Sequence, residues 1–105
     1  MELIDLQKKV QLFIEEKSIN TSIDVRMIDL VSEVGELSKE VLKGTEYGNK
    51  SFHVTDEWTS EIGDVLFSLI SIANSTDVSL EECLLDALDK YEKRFNKKGS
   101  LASDQ

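Results

Sequence analysis

The sequence predicts an all-α fold, an antiparallel four-helix bundle. Three observations point to it. The 105 residues contain no proline, so the strongest helix breaker is missing. Four segments repeat apolar residues at three- and four-residue steps, and no stretch alternates long enough to argue for a strand. A composition of 40% hydrophobic and 31% charged residues is that of a globular chain. The length suits one domain able to bury roughly 60–70% of its unfolded surface.

The first helix is expected from Glu2 to about Lys17, on the spacing of Leu3, Leu6, Val10, Phe13 and Ile14, and Ser18 to Asn20 breaks it. Thr21 offers an N-cap with Asp24 three residues on, a loose capping box. The second helix runs to about Lys43 and stops at Gly44, where a C-terminal glycine belongs. Its expected core side is Ile23, Met27, Leu30, Val34, Leu37 and Val41. Gly44 to Val54 is the one substantial loop, carrying Tyr47, Phe52 and His53. Thr55 caps a third helix reaching about Ser75, with Ile62, Val65, Leu66, Leu69, Ile70, Ile72 and Ala73 as its apolar face. Ser79 and Glu82 form an S-x-x-E box ahead of a fourth helix through Leu84, Leu85, Leu88, Tyr91 and Phe95. Residues 1–95 thus make a single domain, and 96–105 a polar C-terminal tail.

Twenty-one acids against twelve bases give a net charge of −9. Nucleic acid and anionic lipid both select basic surfaces, so neither is an expected partner. A single cysteine, Cys83, excludes an intrachain disulfide or a thiolate zinc site, and its apolar helical context suits a packed thiol. No signal peptide is visible, and no apolar run approaches the ~18 residues of a membrane span. A soluble cytoplasmic protein is expected.

One phrase is written twice. Ser32-Glu33-Val34-Gly35-Glu36-Leu37 returns as Ser60-Glu61-Ile62-Gly63-Asp64-Val65. Each copy sets two carboxylates three residues apart on a helix, where like charges are neighbours and repel. Each also carries a glycine, which costs up to about 1 kcal/mol relative to alanine in a helix. Spacing alone is weak evidence, since Glu2/Asp5, Asp86/Asp89 and Asp89/Glu92 share it. The surroundings differ. Glu33, Glu36 and Glu40 fall within an arc of roughly 60°, as do Glu57, Glu61 and Asp64. The first arc holds no lysine or arginine until Lys43, whereas Asp86–Glu92 is interleaved with Lys90, Lys93 and Arg94. Ordinary solvated faces of acidic helices would give the same spacing. Its duplication favours paired acids from two facing helices, an oxygen-rich site suited to Mg²⁺ or Mn²⁺.

Other chemistries lack their parts. There is no G-x-x-x-x-G-K-[ST] loop and no G-x-S-x-G elbow. The one histidine, His53, lies in the loop, so the Glu-x-x-His of a diiron bundle is absent. What remains is metal-activated water attacking a substrate that brings its own negative charge, and phosphoanhydrides match.

The chain resembles the MazG-like all-α nucleoside triphosphate pyrophosphohydrolases, which carry E-x-x-E on one helix and E-x-x-D on the next. Here those positions are Glu33, Glu36, Glu61 and Asp64, and K-[FY]-x-x-R-F on the last helix is matched by Lys90 through Phe95. The resemblance spans about Leu3 to Phe95. One position departs: Leu88 stands where many members place an asparagine. The resemblance implies Mg²⁺-dependent hydrolysis, with Mn²⁺ able to substitute, of a (deoxy)nucleoside triphosphate to its monophosphate and pyrophosphate. Glu33, Glu36, Glu61 and Asp64 become metal ligands, and Glu36 is the candidate that instead orients the water. Lys90 and Arg94 become phosphate contacts, although two cations near a helix C-terminus are equally explained by the macrodipole. Glu40, Glu57 and Trp58 are candidates for supporting the ligands or contacting the base. A non-catalytic helical module that binds metal or nucleotide is the alternative, and a metal-binding regulatory or storage bundle is a third reading. Apolar positions around at least half of the third helix exceed the ~100° stripe of a monomeric bundle, so a homodimer or homotetramer is expected, as in related bundles.

Overall fold

The computed structural model describes residues 1–99. Four helices, α1 (Leu3–Lys17), α2 (Ile23–Gly44), α3 (Trp58–Ser75) and α4 (Leu80–Lys98), form the chain, and no strand occurs among the described residues. The helix starts follow local hydrogen-bond chemistry. Ahead of α1, the Glu2 amide donates to the Asp5 carboxylate at 3.0 Å. Ahead of α4, Ser79 accepts from the Glu82 amide at 3.3 Å, as its sequence box requires.

Two expected starts are displaced. The cap of α2 is Ser22, not Thr21. Asn20 Oδ1 accepts the Ser22 amide at 2.9 Å and turns the chain into the helix, while the Thr21 carbonyl accepts from Ser75 Oγ at 3.2 Å. Helix α3 begins at Trp58 rather than after Thr55, because the Thr55 hydroxyl donates to Glu40 Oε1 at 2.6 Å instead of capping. At the other end of the chain α4 outlasts its expected limit. Asn96–Lys98 are helical, and Gly99 ends the helix in the left-handed region with φ 72°, a glycine stop. The remainder of the expected tail, 100–105, lies outside the described residues.

Gly44 has a role other than the helix stop its position suggests. It is the last residue of α2, and the following cap, Thr45, is not left-handed. The loop folds back over it instead: a Cβ on Gly44 would sit 2.5 Å from the His53 carbonyl oxygen and 2.8 Å from the Phe52 ring. The His53 amide also donates to the Gly44 carbonyl at 3.0 Å. Gly44→Ala should therefore destabilise the fold by about 1–3 kcal/mol, the usual cost of overpacking. In urea this appears as a lower midpoint at unchanged slope; an unchanged midpoint would mean the loop moves aside freely.

Which face of each helix packs is less intuitive. On α2 the covered positions are Arg26, Asp29, Leu30, Glu33, Leu37, Glu40 and Gly44, a three-to-four spacing that includes the acids. Ile23, Met27, Val34 and Val41, expected in the core, are 40–46% exposed. On α3, Ile70 and Ala73 are buried while Ile62, Leu66 and Leu69 stay exposed. Phe13 is exposed as well, with its ring 5.9 Å edge-on from Phe67. Cys83, expected to pack, is exposed and lines an apolar cleft of about 350 Å³ between the end of α3 and the start of α4.

Packing runs chiefly from α2 to α3, from α3 to α1 and from α1 to α4. Gln7 holds the last of these junctions. It is buried, its Nε2 donates to Asn74 Oδ1 and to the Val78 carbonyl, and its Oε1 accepts the first amide of α4, Leu80 N, at 2.9 Å. The four helices form an open train within one chain. The radius of gyration is 16.8 Å, against about 13 Å for a compact domain of 100 residues.

Candidate metal centre

The two copies of the duplicated phrase meet where α2 packs on α3. Glu33, Glu61 and Asp64 each bring one carboxylate oxygen within 4.8 Å of the others. Helical spacing explains the convergence: Glu61 and Asp64 are neighbours on α3, and Glu33 faces them from the covered side of α2. Glu33 and Glu61 are half-buried and Asp64 is exposed. Glu61 Oε2 is buried and has no hydrogen-bond partner. Glu36 stands outside this triad, on an exposed position where Lys39 approaches it at 3.5 Å.

The electrostatics are those of crowded, under-compensated acids. Burial pushes the Glu33 carboxyl above the ordinary range, and Asp64, Asp29, Glu61 and Glu36 push it further. Burial likewise raises Glu61, helped by Asp64, Glu36, Glu40 and Glu57. Both effects disfavour the charged form. A divalent cation would supply the missing positive charge and give the orphaned Glu61 oxygen a partner, and an all-oxygen donor set suits Mg²⁺ or Mn²⁺. The residues present fit such an ion. On α4, by contrast, Asp89 is neutralised by Lys93 at 2.8 Å on an exposed surface.

Polar contacts flank the triad along the same seam. Beyond one end, Glu40 is only 3% exposed. The hydrogen bond from Thr55, together with Lys43 at 3.1 Å, holds its carboxyl below the usual range. At the other end Ser68 Oγ donates to Asp29 Oδ2 at 2.9 Å, and Arg26 Nη1 lies 3.6 Å from the same oxygen. Glu57 occupies the exposed cap position of α3 and adds its charge to the field at Glu61. Trp58 is half-buried, its ring 5.1 Å from that of Phe52.

Asp29 and the cross-helix role of Thr55 escaped the sequence reading. Asp29 lies four residues before Glu33, outside the three-residue spacing of the acid pairs, and its i+4 position was the only available signal. Lys90 and Arg94 lie on α4, both beside Tyr91, at 5.1 Å and 5.9 Å from its ring centre. Among the described residues no ion pair joins Lys90 to the triad, and α4 packs chiefly on α1 rather than on the α2–α3 seam.

Comparison with known proteins bears on this arrangement. Residues 22–98 match the MazG nucleotide pyrophosphohydrolase domain. A crystal structure of the Bacillus-conserved MazG protein, a nucleotide pyrophosphohydrolase, superposes with a TM-score of 0.73 at 33% identity, covering 87% of this chain and 89% of that one. The crystal structure of YpjD from Bacillus subtilis, described as a candidate pyrophosphatase, superposes with a TM-score of 0.74 at 36% identity, covering 90% and 96%. In sequence, the uncharacterised YpjD of Bacillus subtilis (strain 168) is 45% identical over 73 residues, which span 67% of this chain and 60% of that curated relative. The match to the domain takes in α2, α3 and α4 with both carboxylate motifs, and the chain belongs to the MazG nucleotide pyrophosphohydrolase family.

Proposed function

We propose that this protein hydrolyses (deoxy)nucleoside triphosphates, with Mg²⁺ as cofactor and Mn²⁺ able to replace it, to the nucleoside monophosphate and pyrophosphate. The observation that carries the reading is the convergence of Glu33, Glu61 and Asp64 within 4.8 Å, with one Glu61 oxygen buried and unpartnered. These three hold the cation, and Glu36 joins them or orients water from its exposed position one turn along α2. When bound, Mg²⁺ would neutralise phosphate oxygens and acidify nearby water. Glu36 has Lys39 beside it at 3.5 Å. Glu40, tied to Thr55 and Lys43, braces the loop end of the seam.

Lys90 and Arg94 are proposed to contact phosphate. Their place on α4 suits this best if a second copy of the chain brings its α4 to the seam, so that the pocket is completed across subunits. A cytoplasmic role on the free nucleotide pool fits the net charge of −9, which disfavours nucleic acid. It also fits the absence, among the described residues, of any helix long and apolar enough to cross a membrane. The competing reading, a non-catalytic module, has Leu88 in its favour. That side chain, however, joins the exposed apolar residues Leu84, Leu85, Tyr91 and Phe95 on α4, a row better suited to an interface than to loss of catalysis.

Incubation of the protein with a panel of triphosphates and Mg²⁺, read by product chromatography, is expected to give monophosphate and pyrophosphate in equal amounts. Diphosphate with orthophosphate would move the cleaved bond and reject this assignment. A metal-dependent rise in melting temperature without turnover would favour the module.

A further inference from the structure

The hydroxyls of the buried α3 serines are used in two different ways. Ser71 is 1% exposed and donates to the Phe67 carbonyl in its own helix at 2.8 Å, the common habit of helical serine. Ser75, exposed at the end of α3, donates to the Ser71 carbonyl at 2.9 Å and also reaches the Thr21 carbonyl at 3.2 Å. Ser68, also 1% exposed, reaches across to α2 instead and donates to Asp29 Oδ2 at 2.9 Å. Arg26, with a side chain 11% exposed, approaches that oxygen from the α2 side at 3.6 Å. In sequence Ser68 follows Asp64 by four residues and Asp29 precedes Glu33 by four. The bond therefore lies about one helical turn from the carboxylate triad on both helices.

We propose that Asp29 and Ser68 are a positioning pair that fixes the register of α2 against α3, so that Glu33 on one helix and Glu61 and Asp64 on the other stay within reach of one small cation. This rests on reading the triad as a divalent-cation site. The tolerance involved is narrow. A slip of one residue along a helix is about 1.5 Å, while Mg²⁺ demands near-octahedral geometry at about 2.0–2.1 Å. Ca²⁺ accepts flexible coordination at about 2.3–2.6 Å. Loosening the register should therefore penalise Mg²⁺ more than Ca²⁺, whereas a change in net electrostatic field or in global stability would affect the two ions alike.

The test is calorimetric titration of the full chain with MgCl₂ or CaCl₂ alone, without nucleotide, alongside melting temperatures. Ser68→Ala is expected to raise the Mg²⁺ Kd about tenfold, the scale on which outer partners of metal ligands act, and the Ca²⁺ Kd by no more than about threefold. Ser71→Ala, which removes an equally buried hydroxyl bonded within its own helix, should change neither. Ser68→Cys, which is slightly larger and keeps a weak donor, should fall between wild type and Ser68→Ala. Ser68→Ala should add nothing in an Asp29→Ala background, the non-additivity of a coupled pair. An unchanged Mg²⁺ Kd in Ser68→Ala, or Mg²⁺ and Ca²⁺ constants rising by the same factor, would overturn the positioning role while leaving the metal site standing. A wild-type protein that bound neither ion would overturn the site and the pair with it.

Discussion

Glu61→Gln is expected to lower triphosphate turnover by on the order of 10³-fold, the scale on which a bound metal stabilises transition-state charge. Glu33→Gln should do nearly the same, because each turns one of the carboxylates that meet within 4.8 Å into a neutral amide. Asp89→Asn should leave turnover almost unchanged, since Asp89 is an exposed partner of Lys93 remote in sequence from both motifs. If Asp89→Asn proved as damaging as Glu61→Gln, surroundings would be the wrong criterion for sorting the acidic pairs. The same Glu61 variant separates function from stability. Burial and its acidic neighbours raise the Glu61 carboxyl above its ordinary value of 4.5. In the metal-free protein, between the unfolded and the folded titration points, the folded state holds a proton that the unfolded state has released, and stability falls as pH rises from about the unfolded value through the folded one. Glutamine cannot lose that proton, so metal-free Glu61→Gln should melt higher than wild type at neutral pH and less steeply with pH. Thermal melts in a chelator from pH 4 to pH 8 would show it; a variant melting below wild type at neutral pH would mean that Glu61 stabilises the fold as a carboxylate.

Much of this architecture was legible in the sequence because helical periodicity and capping are local. The Ser79–Glu82 box, the break after Lys17 and the duplicated acidic phrase each depend on residues within one or two turns. The packed face of α2 was not legible. Hydrophobicity marked Ile23, Met27, Val34 and Val41 as core, yet the covered side of α2 carries Arg26, Asp29, Glu33 and Glu40 alongside Leu30 and Leu37. Periodicity states which side chains favour cover; it does not state which surface provides it. Long-range polar partners were equally invisible. Ser68 and Asp29 are 39 residues apart, and Thr55 looks like a cap until the structure shows its hydroxyl on Glu40. The motif glycines, Gly35 and Gly63, show the same limit: a Cβ on either would meet nothing within 4 Å among the described residues, so no contact among them accounts for these glycines.

The exposed apolar surface leads to the second large effect. Wild-type protein at micromolar concentration is expected to scatter light as a homodimer or homotetramer, at two or four times the 11.9 kDa of one chain. The exposed α4 residues Leu84, Leu88, Tyr91 and Phe95 recur at helical spacing, with Leu85 beside them, and on α2 Ile28 and Val31 are 71% and 65% exposed. Single exposed apolar residues are unremarkable, but contiguous rows on two helices mark an interaction surface. In a two-fold dimer any interface residue occurs twice. Burying a leucine contributes about 1.5–3 kcal/mol, so placing a charge at Leu88 on both subunits should raise the dissociation constant by roughly 10²–10⁴-fold. Leu88→Glu is therefore expected to shift the mass toward one chain at micromolar concentration. Turnover should fall together with the mass if Lys90 and Arg94, two and six residues further along the same helix, serve the partner's triad. Mg²⁺ binding to the triad itself should survive, since Glu33, Glu61 and Asp64 converge within one chain. A wild-type mass near that of one chain with full activity would show that these rows are not an interface and that the phosphate contacts lie elsewhere. A Leu88→Glu protein that stayed dimeric but lost turnover would place Leu88 in the nucleotide pocket, where many family members carry an asparagine.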